Sequence, residues 1–316
     1  MLCHTLQKEN MKIATIIVAW NQPDLTLDCL ESLVADGVAP EQIWLVDNGS
    51  GPGLLARVGA RFPALRTIRL EQNCGFAGGN NVGAAAALAA GAEALFLLNN
   101  DALVEPGALA TLAAALERDP GLGAVAPKVY YAIAGRVIQS VGLSVDPDSG
   151  QARMLGSNQP DTGQHDAPAE REALFGCAML IRREAWQQAG PFWEPFFNYA
   201  EETDWCLRAR ARGWRLRYEP AAAVRHRTSS SLGWDSPLKT YLITRNQLYL
   251  RRRHTRGGWR GLRGLAYAAY VGARMAARFA RQGRRLQTRA VLLGWGDYLL
   301  GRAGNARDAD LRRRRT

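Results

Sequence analysis

Histidine is scarce in this chain, with four in 316 residues, and no Cys-x-x-Cys pair occurs among its five cysteines. Cys3, Cys29, Cys74, Cys177 and Cys206 are scattered along the sequence. That spacing excludes a zinc-finger site and a disulfide framework, and implies reduced thiols in a cytoplasmic protein. No uninterrupted apolar run reaches the roughly 18 residues that a membrane-crossing helix needs. The opening "MLCHTLQKEN" is polar and the "IATIIVAW" after it is short and strand-like, so no secretory leader is expected. Met11 stands as an alternative start. A glycine-rich dinucleotide fingerprint is also missing after the first predicted strand, where "WNQPD" stands instead. This disfavours a nicotinamide enzyme. No internal repeat is visible.

Charge, by contrast, is plentiful and uneven. The formal net charge is +11, from 40 Lys/Arg and 29 Asp/Glu. From Pro237 onward there are 20 Lys/Arg against three Asp, so the remainder is net acidic. The asymmetry implies an anionic partner for the C-terminal quarter. An apolar content of 47% gives one large or two modest domains ample core.

The first 120 residues alternate. "KIATIIVAW", "QIWLVD", "LRTIRL" and "ALFLL" read as short, continuously apolar strands, separated by the helical patterns "DLTLDCLESLVAD", "GLLARVGARF", "NNVGAAAALAAG" and "PGALATLAAALERD". Such alternation predicts an α/β fold with a mainly parallel sheet. Further on, "LFGCAMLIRREAW" reads as a strand running into a helix. Between them, "VDPDSGQARMLGSNQPDTGQHDAPAE" reads as a long loop, rich in turn formers.

Ligands of parallel α/β sheets bind beyond the carboxyl ends of the strands. Here four such ends carry small polar or acidic residues: Trp20-Asn21, Asp47-Asn48-Gly49-Ser50, the loop "NCGFAGGNN", and Asn99-Asn100-Asp101. Each has an ordinary structural reading as a turn or helix cap. Four together imply one site. Asp47 can accept hydrogen bonds from a base or ribose. Gly75, Gly78 and Gly79 permit tight backbone geometry, and Asn80 is expected to cap a helix whose N-terminus suits phosphate. Asp101 suits Mg²⁺ or Mn²⁺, hard ions that prefer oxygen ligands and use few carboxylates when phosphates complete the shell.

A denser cluster follows in "GPFWEPFFNYAEETDWCLRARARGWRLRYEPAAAVRH". Glu201, Glu202 and Asp204 open a predicted helix near Ala200, where acids also complement the helix dipole. The aromatic neighbours Phe196, Phe197, Tyr199 and Trp205 would desolvate a carboxylate and raise its pKa, as a general base requires. Arg208, one turn on, is placed to pair with Asp204. His226 ends a predicted strand near this cluster; His4, His165 and His254 are read as structural.

Taken in order, VAWN, LVDNGS, NCGFAGGNNVG, LLNNDALVEPGAL, GCAMLIRREAW, FFNYAEETDWCLRARARGW and YEPAAAVRH resemble bacterial family 2 glycosyltransferases, rhamnosyltransferase-like members in particular. The resemblance runs from residue 12 to about 250, "YLITRNQLYL" included. It implies a GT-A fold over residues 12–236, after an N-terminal extension at 1–11, and inverting transfer from a nucleotide-diphosphate sugar. It assigns Asn21, Asp47, Asn48, Gly75, Phe76, Ala77, Gly78, Asn80, Asn81, Asn99 and Asn100 to the donor site. Asp101 and His226 are assigned to the metal. Glu202 matches the base position, with Asp204 as the alternative. Two residues depart from the family pattern: the metal motif reads Asn99-Asn100-Asp101, without its first acid, and the base is Glu rather than Asp. The donor implied is dTDP-rhamnose and the acceptor a saccharide or lipid-linked saccharide of surface polysaccharide. A UDP-sugar-dependent hexosyl- or galactofuranosyltransferase, and a catalytically silent sugar-nucleotide-binding or scaffold protein, are the competing readings.

The segment 237–316 mixes arginine with Leu, Ala, Tyr, Val and Trp at helical spacing. A basic amphipathic helix of this kind suits an anionic membrane surface, peripheral on the inner face of the cell membrane. A helical extension or homo-oligomer interface explains the pattern equally well. Nucleic acid is disfavoured, because no recognition module is present.

Overall fold

The computed structural model describes residues 11–132, 135–146, 151–227, 236–255, 259–306 and 311. The N-terminal extension up to residue 10, with His4, and the terminal arginines at 312–315 lie outside the described residues.

The expected alternation is realised as β1 (Ile13–Ala19), α1 (Pro23–Ala35), β2 (Ile43–Asn48), α2 (Leu54–Arg61), β3 (Arg66–Leu70), α3 (Gly75–Ala89), β4 (Ala94–Asn99), β5 (Ala102–Val104) and α4 (Ala108–Arg118). β1, β2, β3 and β4 pair in parallel, in the spatial order β3-β2-β1-β4. Successive residues of a strand feed opposite faces. Ile17, Phe96 and Leu98 pack with Leu30, Leu33, Val58 and Leu112 on one side. Ile16, Leu95 and Leu97 pack with Ala84, Ala87 and later helices on the other. This double burial explains why β1, β2 and β4 are mostly apolar rather than alternating, whereas β3, at the edge of the sheet, is largely exposed and carries Arg66 and Arg69.

The chain continues through β6 (Leu122–Tyr131), β7 (Val137–Ser140), β8 (Leu143–Val145), β9 (Ala152–Met154), β10 (Gln159–Pro160), β11 (Ala169–Glu170), β12 (Ala178–Arg182), α5 (Arg183–Ala189), α6 (Glu201–Ala211) and β13 (Arg215–His226). β12 runs antiparallel between β4 and β6, and β13 lies parallel to β6 and antiparallel to β5. The stretch expected as one long loop is therefore corrected: it contributes paired strands. A buried ammonium pins it to the sheet, with Lys128 Nζ 2.9 Å from Asp161 Oδ2 and 2.6 Å from Asp166 Oδ1. Turn-rich composition hid these pairings because their strands are two to four residues long and their partners are distant in sequence.

Three helices close the chain: α7 (Pro237–His254), α8 (Trp259–Arg281) and α9 (Arg285–Leu299). The basic segment is thus two helices folded back on one another, with the Gly272 backbone against the Trp295 ring. α9 also packs closely on α7, where Gly294 meets the Tyr241 carbonyl. Among the described residues no helix is long and apolar enough to cross a membrane.

Candidate active site

The expected residues gather at the carboxyl ends of β1, β2 and β4. Asn21 and Gln22 both adopt left-handed backbone conformations between β1 and α1. The Asn21 amide donates to Ser50 Oγ at 2.8 Å, and its Oδ1 accepts from the Gly51 amide at 3.1 Å. Asp47, fully buried, accepts from the Ser50 amide at 2.9 Å through Oδ1. Its Oδ2 has no hydrogen-bond partner and lies 3.8 Å from Arg69 Nη1. A buried carboxylate oxygen without a donor is a strong acceptor for a ligand N–H or O–H.

Several of the remaining amides are committed to the protein itself. Asn48 Nδ2 donates to Gly75 O at 3.0 Å, and its Oδ1 accepts from the Cys74 amide at 2.9 Å, so it shapes the loop before α3. That helix begins at Gly75, which corrects the expectation that Asn80 caps it. Asn80 instead donates to the Phe76 carbonyl at 2.9 Å from inside the helix. Asn81 holds the Phe192 backbone through both its amide atoms, each at 2.9 Å. Phe76 stacks near Phe192, with ring centroids 6.2 Å apart. Ala77 and Gly78 are buried in the first turn of α3. Gly79 backs onto Val18, closer than any Cβ would allow. Gly75 has φ +76°, and a Cβ there would collide with the Phe197 carbonyl.

At the end of β4 the two proposed metal residues meet. His226 Nε2 lies 3.0 Å from Asp101 Oδ1, and both side chains are under 10% exposed. The β5–β13 ladder brings them together by pairing His226 with Ala102. His226 Nδ1 lies 3.0 Å from Gln139 Oε1 on β7. An amide oxygen only accepts, so Nδ1 donates to it, and this hydrogen bond turns Nε2 toward Asp101. A carboxylate oxygen and an imidazole nitrogen thus meet at one point, a pair able to ligate a divalent cation once Nε2 is deprotonated. The second-sphere carbonyl behind a histidine is usual for metal ligation. Asn99 adds Nδ2, 3.2 Å from His226 Nε2, and a buried Oδ1 with no partner. The donor set of carboxylate, imidazole and amide oxygen fits Mg²⁺ or Mn²⁺ with phosphate completing the shell. Among the described residues no cluster of three or more His, Cys, Asp or Glu could hold a metal alone. Asn100 points away and donates to Thr26 Oγ1 at 3.1 Å.

Behind this pair sit the acids of α6. Glu201 and Glu202 each carry a buried carboxylate oxygen without a partner. Burial pushes the Glu201 carboxyl well up, and the neighbouring Glu202 charge adds to it. Burial likewise raises Glu202, although backbone amides at the start of α6 oppose it. Asp204 has the opposite environment. Burial alone would raise it, but hydrogen bonds from His254 and Arg253 and the charges of Arg208 and Arg253 hold it at about 2. The contacts are short: Arg208 Nε at 2.8 Å, Arg253 Nε at 2.7 Å and His254 Nε2 at 2.8 Å. Arg253 and His254 come from the end of α7.

One tripeptide links the acids to the metal pair. Phe175 packs edge-on against His226, with centroids 5.9 Å apart. The Glu202 side chain lies on the Gly176 backbone. The Cys177 carbonyl accepts from the Asn99 amide at 2.9 Å. Tyr199 reports the same proximity, since burial and then the charges of Glu201, Glu202 and Asp101 push its hydroxyl up. Sequence reasoning missed Phe175, Gly176 and Gln139, and had named Tyr199 only as an aromatic neighbour of the acids. Phe175 and Gly176 stood inside a quoted motif without a role; Gln139 carried no local signal.

A mainly parallel sheet flanked by helices, with polar strand ends facing a buried acid pair, is a GT-A glycosyltransferase architecture. The family model described as glycosyltransferase like family 2 matches residues 10–246, and the chain belongs to that family. An N-acetylglucosaminyl-diphospho-decaprenol L-rhamnosyltransferase of Mycobacterium tuberculosis (strain CDC 1551 / Oshkosh) is 28% identical over 288 residues, covering 80% of this chain and 90% of that protein. Among solved structures, the mannosyltransferase PcManGT from Pyrobaculum calidifontis, in complex with GDP-Man and Mn²⁺, matches with TM-score 0.55 and 16% identity over 93% of this chain and 88% of that one. GalNAc-T7 with UDP, GalNAc and Mn²⁺ matches with TM-score 0.55 and 15% identity over 73% of this chain, which spans 48% of its length. These likenesses establish the fold.

Proposed function

We propose that this glycosyltransferase moves L-rhamnose, with inversion, from dTDP-rhamnose to a lipid-linked saccharide in cell-surface polysaccharide assembly. The observation that carries the reading is the Phe175–Cys177 bridge, which sets Glu202 beside the Asp101–His226 pair. The rhamnosyltransferase relative supports the sugar and the lipid-linked acceptor.

Glu202 acts as the base. Its raised pKa follows from burial and brings it toward the operating pH. It takes the proton of an acceptor hydroxyl as that oxygen bonds to the anomeric carbon. The bond from that carbon to the diphosphate oxygen breaks on the opposite face. Asp47 takes the nucleotide base or ribose through its free Oδ2, while Asn48 and Gly75 set the loop that frames the donor. Asp101 and His226 would hold Mg²⁺ or Mn²⁺, which supplies charge stabilisation to the departing diphosphate when bound.

The exposed face of α8 supports the location of the acceptor. Trp259, Leu262 and Tyr270 are more than half exposed there, beside exposed Arg263 and Arg274. Arginine with exposed aromatic and aliphatic side chains suits an anionic bilayer surface. Sedimentation with phosphatidylglycerol vesicles should fall in the double variant Trp259→Ser/Leu262→Ser; unchanged sedimentation removes the membrane from the reading.

Calorimetric titration of dTDP and UDP, with and without Mn²⁺, tests the donor site in wild type and Asp101→Ala. Mn²⁺-dependent binding of dTDP that Asp101→Ala abolishes is the expected result. Preference for UDP would move the donor to a UDP-hexose, and metal-independent binding would refute the Asp101–His226 assignment.

A further inference from the structure

The segment that leads into α6 is held in an unusual backbone state. Phe197, Tyr199 and Ala200 all have positive φ, at 65°, 70° and 80°, and none is glycine. Three left-handed non-glycine residues within four positions persist only where surrounding structure over-determines them. No side chain caps the helix they lead into. The constraint comes from α7, across about fifty residues of sequence. Asn246 Nδ2 donates to the carbonyls of Phe196 at 2.9 Å, Asn198 at 2.8 Å and Tyr199 at 2.8 Å. Arg245 Nη2 donates to Phe196 O at 3.1 Å and Pro195 O at 3.3 Å. The two residues are locked to each other, with Asn246 Oδ1 accepting from Arg245 Nη2 at 2.8 Å and Nε at 3.0 Å. Both are completely buried.

This geometry is costly to assemble by accident. A buried guanidinium is desolvated, and here its partners are backbone carbonyls and the Tyr241 hydroxyl rather than a carboxylate. The Tyr241 hydroxyl in turn donates to Asp297 Oδ2 on α9 at 2.7 Å, which returns a negative charge to the network. Arg245 Nη1 goes to the Gly304 carbonyl and the Tyr241 hydroxyl, while Arg245 Nη2 and Asn246 Nδ2 are spent on the backbone of 195–199. That backbone also sets α3, because the Phe197 carbonyl accepts from the Ala77 amide at 3.3 Å and abuts Gly75. One loop therefore fixes both the direction of Glu202 and the wall of the donor pocket.

We propose that Arg245 and Asn246 are positioning residues of the transfer: they hold the 195–199 backbone, with Phe197 and Tyr199 at positive φ, so that the Glu202 carboxylate faces the acceptor. Their effect passes through Glu202, and the proposal rests on the glycosyltransferase reading with Glu202 as base.

The test uses the full-length protein with Asn246→Ser and Arg245→Lys, each keeping polarity while breaking the forked set of donors that reaches the loop. Two readouts are taken. Hydrogen exchange of the amides at 197–204 should accelerate at least tenfold, while the amides of β1, β2 and β4 stay protected. Release of dTDP from dTDP-rhamnose, or of UDP or GDP where those sugar nucleotides are the ones turned over, should fall about a hundredfold in kcat. KM for the donor should stay within about threefold, and the acid limb of the kcat profile should move toward the ordinary carboxylate range as Glu202 gains water. Guanidinium chloride at millimolar concentration should restore part of kcat in Arg245→Ala. Unchanged exchange at 197–204 overturns the brace. Accelerated exchange with unchanged kcat and pH limb overturns its catalytic role. A wild-type protein that turns over no sugar nucleotide overturns the glycosyltransferase reading and the catalytic half with it, while exchange still judges the brace alone.

Discussion

Replacing Asp204 with asparagine separates a base from a strut. The folded carboxyl is held at about 2 against an ordinary 3.8, a gap approaching two units. At roughly 1.4 kcal/mol per unit, the carboxylate contributes about 2–3 kcal/mol to folding at neutral pH. The folded value is depressed, so this stability is present above the unfolded pKa near 4 and is lost as pH falls toward about 2. Asparagine removes it at every pH and takes the carboxylate away from two guanidinium groups and the His254 imidazole. Arg208, Arg253 and His254 retain 22%, 30% and 22% exposure, so water offsets part of that loss. A total of about 2–4 kcal/mol follows. For a chain of this size that lowers Tm by roughly 3–6 °C. Urea midpoints of wild type and Asp204→Asn, from pH 7 to pH 3.5, should differ most at pH 7 and begin to converge below about pH 4. The transfer rate should fall only modestly, through loosened packing of α6 on α7. A variant that melts with the wild type yet loses a thousandfold in kcat would refute the reasoning and make Asp204 the base.

The same site yields three further expectations. Glu202→Gln should lower kcat by about 10²–10⁴ with no loss of Tm, and the wild-type acid limb should lie above the usual carboxylate range because burial raises Glu202; a limb at or below pH 4 would contradict this. Gly75→Ala should cost more than the roughly 1–2 kcal/mol of a left-handed non-glycine residue, because its Cβ meets the Phe197 carbonyl, whereas Gly91→Ala, at φ +92° in open space, should cost no more than that; equal urea midpoints would deny the collision. Lys128→Met leaves Asp161 buried without its ammonium, and a loss of about 3–5 kcal/mol, with new protease cleavage between residues 151 and 168, is expected; an unaltered midpoint would show that the ion pairs do not secure that excursion.

The role of each polar residue was less legible than its place. Asn48, Asn80 and Asn81 lie where the motif pattern put them, yet their amides hold backbone rather than open space. A short side chain near a turn has the same composition whether it serves the loop or a ligand. Glu202 and Asp204 are two residues apart, so spacing could not rank them, and only the family resemblance put Glu202 first. Their difference is made by Arg253 and His254, about fifty positions away, and by the apolar burial of the glutamates. Gln139, behind His226, came from a stretch to which the sequence assigned no element.

The sequence by itself determined the alternating α/β architecture, the polar strand ends and the acidic start of α6, because these follow from periodicity and spacing over a few residues. Tertiary structure alone decided which carboxylates stay unpaired, which imidazole nitrogen faces Asp101, and what holds the backbone at 197–200. Those outcomes depend on desolvation and on charges delivered by elements far away in the chain, and neither leaves a local pattern.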